Sequence, residues 1–168
     1  ALSLSTKQTI KISGLLEGSR AVLECLDFKE AASRLFDVCS TLMGTSVGFV
    51  TLVDEDGQGR EMVLIETGGR ECELDLYIVF PMKGLMGRAF DSHSSVFENE
   101  FSKSSHAANV PEGHMHLENV LFTPIILNNK AAGLIGFANK MGGFSKDDAS
   151  LASAFAELLA ISLRNFQN

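Results

Sequence analysis

Four histidines, His93, His106, His114 and His116, fall in one part of the chain, and imidazoles grouped this way could ligate a metal or supply an axial ligand to haem. The spacing argues otherwise. His114 and His116 are two apart with no cysteine nearby, which matches no metal-site pattern, so these residues read as solvated or hydrogen-bonded loop histidines. Ser104 and Ser105 stand beside His106 without the strand-turn-helix context of an activated nucleophile. Gly84-Leu85-Met86-Gly87 lacks the Gly-Lys-Ser/Thr ending of a phosphate-binding loop. Cys25, Cys39 and Cys72 are the 3 cysteines. An odd number without Cys-x-x-Cys spacing encodes neither a disulfide framework nor a zinc knuckle, and fits free thiols in a reducing cytoplasm. No catalytic set and no metal-ligand set emerges.

The elements that would carry these residues follow from apolar spacing. Residues 8–26 hold Ile12, Leu15, Leu16, Val22, Leu23 and Leu26 in a broken amphipathic pattern with Gly14 and Gly18 inside it. A second helix is expected over 28–43, where Ala31, Ala32, Leu35, Phe36, Cys39, Leu42 and Met43 recur at three-and-four spacing and Gly44 is the stop. Val47, Val50, Thr51 and Val53 predict a strand over 46–54 that turns at Asp54-Glu55-Asp56-Gly57 into a returning strand over 62–66. A third short strand is expected over 74–80, ending at Pro81. The segment 83–120 is rich in Gly, Ser, His and Pro and is expected to hold at most short helical turns; so long a connection in a compact domain is usually functional. Two strong strands, 120–127 and 131–138, are joined across Asn128-Asn129-Lys130 as a hairpin. Ser145 should then cap a last helix over 146–166, with Asp147 and Asp148 in its first turn where the helix dipole favours acid.

Composition bounds the rest. The 168 residues carry a net charge of −7 and are 45% hydrophobic, which describes one folded domain with a substantial core. Only 14 basic residues are present and they are scattered, against a nucleic-acid partner, which requires clustered Lys and Arg. The longest near-apolar stretches, 120–127 and 131–138, fall well short of the roughly 18–20 residues that cross a bilayer, so no membrane contact is expected. The chain opens Ala-Leu-Ser-Leu-Ser-Thr-Lys without Met, as would a segment of a longer protein. The last helix bears Leu151, Phe155, Leu158, Leu159, Ile161, Leu163 and Phe166, more than one apolar stripe. That surplus, chiefly Leu151, Leu158 and Phe166, predicts either a second partner such as the same helix of another copy, or a wide stripe wedged between sheet and N-terminal helix.

The order of elements, the Leu134 to Asp148 run containing Asn139-Lys140-Met141-Gly142-Gly143-Phe144, the Gly84-Leu85-Met86-Gly87-Arg88-Ala89 helix start, and Pro111-Glu112-Gly113-His114 ahead of Pro124-Ile125 together resemble the GAF domain. The likeness spans nearly the whole chain. It implies an α+β fold over residues 1–168, with 1–27 as entry helix and 28–168 as core and C-terminal signalling helix. It further implies a central antiparallel sheet with the terminal helices on one face and the long loop closing a small-molecule pocket on the other. Asn139, Lys140, Phe144 and Asp148 are similar to a signature of cyclic-nucleotide-binding members, Asn-Lys-x(n)-Phe-x-x-x-Asp-Glu, with Ala149 in place of the final Glu. A Lys and an Asp flanking a turn can pair across it and fix the helix entry without touching ligand, which is the reading favoured for this motif.

Alternation on the strand before Asn139 puts Ala132, Leu134, Gly136 and Ala138 on one face, and Gly133, Ile135 and Phe137 on the other. The small-residue face leaves room. By the resemblance it is the ligand face, joined by Phe49 and Thr51 of the first strand, Leu85 and Met86 of the Gly-bounded turn, and His114 and Leu117 of the loop. Gly136 stands where cyclic-nucleotide binders of the family can place a polar residue, so a mostly apolar cavity with an unassigned ligand is expected.

The expectation is therefore a cytoplasmic, non-catalytic sensory module of a prokaryotic signalling protein of the sensor kinase, chemoreceptor or cyclase type. It would bind a small molecule, form a homodimer through its terminal helices and act on an effector domain outside this segment. Two alternatives are a ligand-free dimerisation or scaffold module and a haem-binding redox or gas sensor. One branch of the family reduces free methionine sulfoxide with cysteines in the loop before the penultimate strand. Here Gly113-His114-Met115-His116-Leu117-Glu118 offers no thiol, so that activity is not expected.

Overall fold

The computed structural model describes residues 2–54, 60–69, 83–109 and 115–167. Helix α1, Leu2–Glu24, begins earlier and ends two residues sooner than its apolar pattern predicts. Gly14 and Gly18 each weaken a helix interior by roughly 1 kcal/mol, and both are explained by close approach. A Cβ on Gly14 would collide with Leu42, and one on Gly18 would stand 2.9 Å from Leu158 Cδ1 and 3.0 Å from Leu35 Cδ2. The glycines let α1 lie against two helices at once.

Those helices are α2, Phe28–Met43, and α4, Lys146–Gln167. α2 matches its expected span: Asp27 accepts the Glu30 backbone N–H at 2.8 Å, satisfying a first-turn donor, and Gly44 closes the helix in the left-handed region at φ 90°. α4 is entered through a reciprocal cap. The Ser145 hydroxyl accepts the Asp148 N–H at 3.3 Å and Asp148 Oδ2 accepts the Ser145 N–H at 2.9 Å.

Among the described residues the sheet has five antiparallel strands in the order β2-β1-β5-β4-β3, with β1 Val47–Val53, β2 Arg60–Thr67, β3 Val96–Glu98, β4 Val120–Leu127 and β5 Lys130–Ala138. The β4–β5 connection is shorter than expected. Lys130 already pairs with Leu127, and Asn128 and Asn129 alone turn the chain at φ 53° and 64°, the double positive φ that matches the twist of a hairpin. Pro124 is tolerated inside β4 because β3 pairs only with residues 120–122, leaving that side of β4 without a strand partner at Pro124.

The region 83–120 departs from expectation. Instead of short turns alone it holds a nine-residue helix α3, Gly84–Ser92, and the edge strand β3, besides two 3-10 turns at Phe101–Lys103 and Ser105–Asn109. Gly84 and Gly87 depress the helical signal of α3, and β3 is too short to show alternation. The third strand expected over 74–80, the turn residues 55–57, Cys72 and His114 lie outside the described residues.

The sheet separates two apolar clusters. On one face Val50, Ile135 and Phe137 pack with Leu35 and Phe36 of α2 and Phe155 and Leu159 of α4, with the Phe36 and Phe137 rings stacked at 5.3 Å. The opposite alternation carries Val47, Phe122, Leu134 and Ala138 into a second cluster under α3 and the segment before β4. Among the described residues no helix is long and apolar enough to cross a membrane.

Candidate functional site

The second cluster, on the face away from the helical layer, is where the expected ligand residues meet. Phe49 of β1, Leu134 of β5, Leu85 and Met86 of α3, and Leu117 of the strap 115–119 that leads into β4 all belong to it, together with buried Met115 and Phe101. Gly136 lies on the same face, opposite Phe49 in the β1–β5 register, and Thr51 stands opposite Leu134. Of the expected residues only His114 falls outside the description.

Two details correct the expected chemistry. The space predicted above Gly136 is filled: a Cβ there would collide with the Phe49 ring and stand 3.0 Å from Phe122 Cδ1, and the two rings lie 6.1 Å apart, tilted by 47°. The missing side chain thus seats an aromatic ring. The Thr51 hydroxyl is already engaged, donating to the Glu61 carbonyl at 2.7 Å beside the register shift between β1 and β2. It fills the gap that the bulge opens in the ladder.

The polar residues gather instead where β5 passes into α4. Lys140 Nζ lies 2.6 Å from Asp148 Oδ2, the pairing expected across the turn, and Asp148 is buried. Phe144 packs into the helix-side cluster, with half-buried Ala149 against it. This motif therefore builds the helix entry. Asn99 at the end of β3 adds a clamp, accepting the Phe144 N–H at 2.7 Å and donating to the Phe144 carbonyl at 2.9 Å.

Asn99, Asn119 and Ser95 were not singled out by sequence. Ser95 Oγ lies 2.8 Å from Thr123 Oγ1 and 2.7 Å from Ser153 Oγ, tying the chain after α3 to β4 and α4. A lone Asn or Ser flanking a short strand carries no periodic signal; the one available hint was that Asn119 and Asn139 bracket the strongest hairpin.

The described histidines do not assemble a centre. His93 ends α3 in the left-handed region at φ 57°, and His116 Nε2 lies 2.7 Å from Glu118 Oε1 at an exposed position. Among the described residues no group of three His, Cys, Asp or Glu side chains could hold a metal. Cys25 and Cys39 are free and buried. Burial pushes the Cys39 thiol well above its ordinary value, and the Asp148 carboxylate adds to the push, so Cys39 is a neutral packing residue and not a nucleophile.

Of the apolar surplus of α4, Leu151 is buried in the helix-side core and half-buried Leu158 covers Gly18, whereas Phe166 and Ile161 stay exposed. Exposed apolar side chains lie on α1 as well, at Ile10, Ile12, Leu16 and Leu23, with Leu26 just beyond the helix.

A family model for the GAF domain matches residues 25–164. Among solved structures, the chain is similar to the Nlh2 GAF domain of A. aeolicus in an inactive state, at 16% identity and TM-score 0.74 over 95% of this chain and 98% of that one. It is also similar to the GAF domain of an Acinetobacter phosphoenolpyruvate-protein phosphotransferase, at 18% identity and TM-score 0.72 over 92% of each chain. A third likeness is to a free methionine-R-sulfoxide reductase of Neisseria meningitidis in complex with its substrate, at 17% identity and TM-score 0.72 over 94% of this chain and 90% of that one. At these identities the likenesses concern the fold. No curated protein matches the chain.

Proposed function

The chain belongs to the GAF domain family, and from that membership we propose that it is a non-catalytic sensory or regulatory module taking a small, largely apolar or neutral ligand on the far face of its sheet. The observation that carries the reading is the second apolar cluster: Phe49, Leu85, Met86, Leu117 and Leu134 converge from β1, α3, the strap and β5, and of the two side-chain donors expected on that face, Thr51 is committed to Glu61 while His114 lies outside the described residues. A cyclic nucleotide brings a polar base edge as well as a phosphate. Backbone amides at the start of α3 could meet the phosphate, but an unpaired base edge costs about 1–3 kcal/mol per group, so the base decides against it.

Binding would bias the segment 83–118 between conformers, and the terminal helices would carry that bias to an effector outside this segment. Free thiols fit a reducing, cytoplasmic setting. Sulfoxide reduction is disfavoured because the sequence places no cysteine after Cys72 and the described thiols are buried. Titration calorimetry with cyclic GMP and cyclic AMP tests the reading: weak or no heat is expected, and sub-micromolar affinity for either overturns it.

A second feature favours self-association. Ile12, Leu16, Ser19, Leu23 and Leu26 follow one another at alternating four and three residues, the seam spacing of paired helices. The first four lie on the side of α1 away from Gly14 and Gly18, with Leu23 82% exposed, and Leu26 follows just beyond the helix. A second copy of α1 would cover that seam.

A further inference from the structure

Beyond the last ladder pair of the central hairpin, Val120 with Ala138, the two chains part. One runs back through the strap 115–119 over the far-face cluster, where Met115 is buried and Leu117 half-buried. The other runs forward into α4. One more backbone bond, Asn139 N–H to the Asn119 carbonyl at 3.0 Å, extends the ladder, and then side-chain amides replace it. Asn119 accepts the Lys140 N–H and donates to the Lys140 carbonyl, both at 2.9 Å. Asn139 accepts the Glu118 N–H at 2.8 Å and donates to the His116 carbonyl at 3.0 Å.

We propose that this crossed pair of asparagine amides is a latch that couples the seating of the strap on the far-face cluster to the first turns of α4. The strap cannot lift at Leu117 without breaking both bonds to Asn139, because those bonds grip the residues on either side of Leu117. The loop is closed at its base by the Phe101 N–H, which donates to the Glu118 carbonyl at 3.0 Å, so displacement of the loop reaches the same residue. Lys140, next in the chain, is held by Asn119 on its backbone and by Asp148 on its ammonium, and Asp148 in turn caps Ser145 at the helix entry. Strap and helix are thus linked through contiguous hydrogen bonds with Asn139 as the positioning residue. Its left-handed backbone, φ 58°, aims the side chain back across the gap, a conformation that Asn tolerates better than most residues.

The inference rests on the far face being the sensing face, but its test needs no ligand, so its failure is distinguishable from failure of the ligand reading. Hydrogen exchange is followed on the full chain in peptides covering 115–119 and 149–156, for the parent, Leu117→Ala, Asn139→Gly and the double variant. Glycine keeps the left-handed backbone while removing the amide. In the parent background Leu117→Ala should accelerate exchange at the start of α4 about five- to tenfold, the size of one amide hydrogen bond. In the Asn139→Gly background it should still loosen 115–119 while adding nothing at α4, a non-additivity that a merely structural role of Asn139 would not produce. An equal response of α4 in both backgrounds, or no response in the parent, overturns the latch. Should Asn139→Gly fail to fold, Asn139→Asp, which keeps the acceptor for Glu118 and loses the donor to His116, takes its place in the same cycle, with a diminished response of α4 to Leu117→Ala expected and an undiminished one overturning the latch.

Discussion

The ammonium of Lys140 and the carboxylate of Asp148 meet at 2.6 Å, and the same Asp148 oxygen accepts the Ser145 backbone N–H that opens α4. The two partners differ in solvent access: the Lys140 side chain is 23% exposed and that of Asp148 10%. Removing Lys140 therefore strands a carboxylate with little water, whereas removing the charge of Asp148 leaves an ammonium that can reach solvent. Lys140→Met is expected to cost more stability than Asp148→Asn, about 3 kcal/mol against about 1–2. Urea unfolding of both variants checks the order, and the reverse order would show that the cap, not the ion pair, dominates.

Cys39 supplies a pH signature. Its folded thiol titrates above its ordinary value because of burial, with Asp148 adding to the shift, so above the unfolded thiol value of about 8.5 the unfolded state loses the proton first. The stabilisation is fully present below that pH and declines as pH rises toward the folded value. Stability measured between about pH 8 and 10 should fall more steeply for the parent than for Cys39→Ala. Identical slopes would mean that Cys39 does not contribute.

The ring of Phe49 over Gly136 makes a packing prediction. Gly136→Ala forces the ring aside and should cost about 1–3 kcal/mol, the range of overpacking in a filled core. In a Phe49→Ala background the same change should cost much less, since the ring it would meet is gone. Denaturant unfolding of the four proteins gives the coupling, and additivity would place Phe49 elsewhere.

The α1 seam can be tested apart from the fold. Leu16 and Leu23 are exposed, so Leu16→Glu and Leu23→Glu should leave the unfolding midpoint of a dilute sample nearly unchanged while dissociating a dimer in sedimentation at micromolar concentration. Leu158→Glu is unsuitable, because it would drive a charge against Gly18 and the helix-side core. A parent protein monomeric at every concentration removes the seam as an interface.

What the sequence disclosed and what it hid divide along the range of the forces involved. α2 was legible because its apolar residues repeat at the helical period, and β1, β4 and β5 because β-branched or continuous apolar runs bounded by turn residues mark buried strands; the Asn128-Asn129 turn and Ser145 cap carry local chemistry strong enough to mark ends. α3 was obscured by its own glycines, and β3 is held by pairing to residues 120–122, which only the assembled sheet provides. Alternation along β5 assigned Leu134 and Gly136 to one face and Ile135 and Phe137 to the other, as found. It could not show that Phe49, a strand away, would fill the space at Gly136. The excess of apolar residues on α4 was visible, but the seating of Leu158 against Gly18 of α1 depends on a close approach that spacing does not encode. Asn99, Asn119 and Asn139 act through both amide atoms on backbone partners set by the fold, and their residue type alone gave no sign of it.

The proposed sensory role turns on the far-face cluster receiving a neutral, largely apolar ligand. Met86 and Met115 belong to that cluster, while Met141 is 94% exposed beside the turn into α4, so the methionine methyl groups report from inside and outside the proposed site. The direct measurement is a methyl NMR titration of protein labelled at methionine, assigned with Met86→Leu and Met115→Leu, against indole as a neutral apolar probe and against cyclic GMP. Saturable shifts of the Met86 and Met115 methyl signals with indole, a stationary Met141, and no saturable response to cyclic GMP are expected. Saturation of those signals by cyclic GMP at sub-micromolar concentration, or their indifference to indole, would contradict that role.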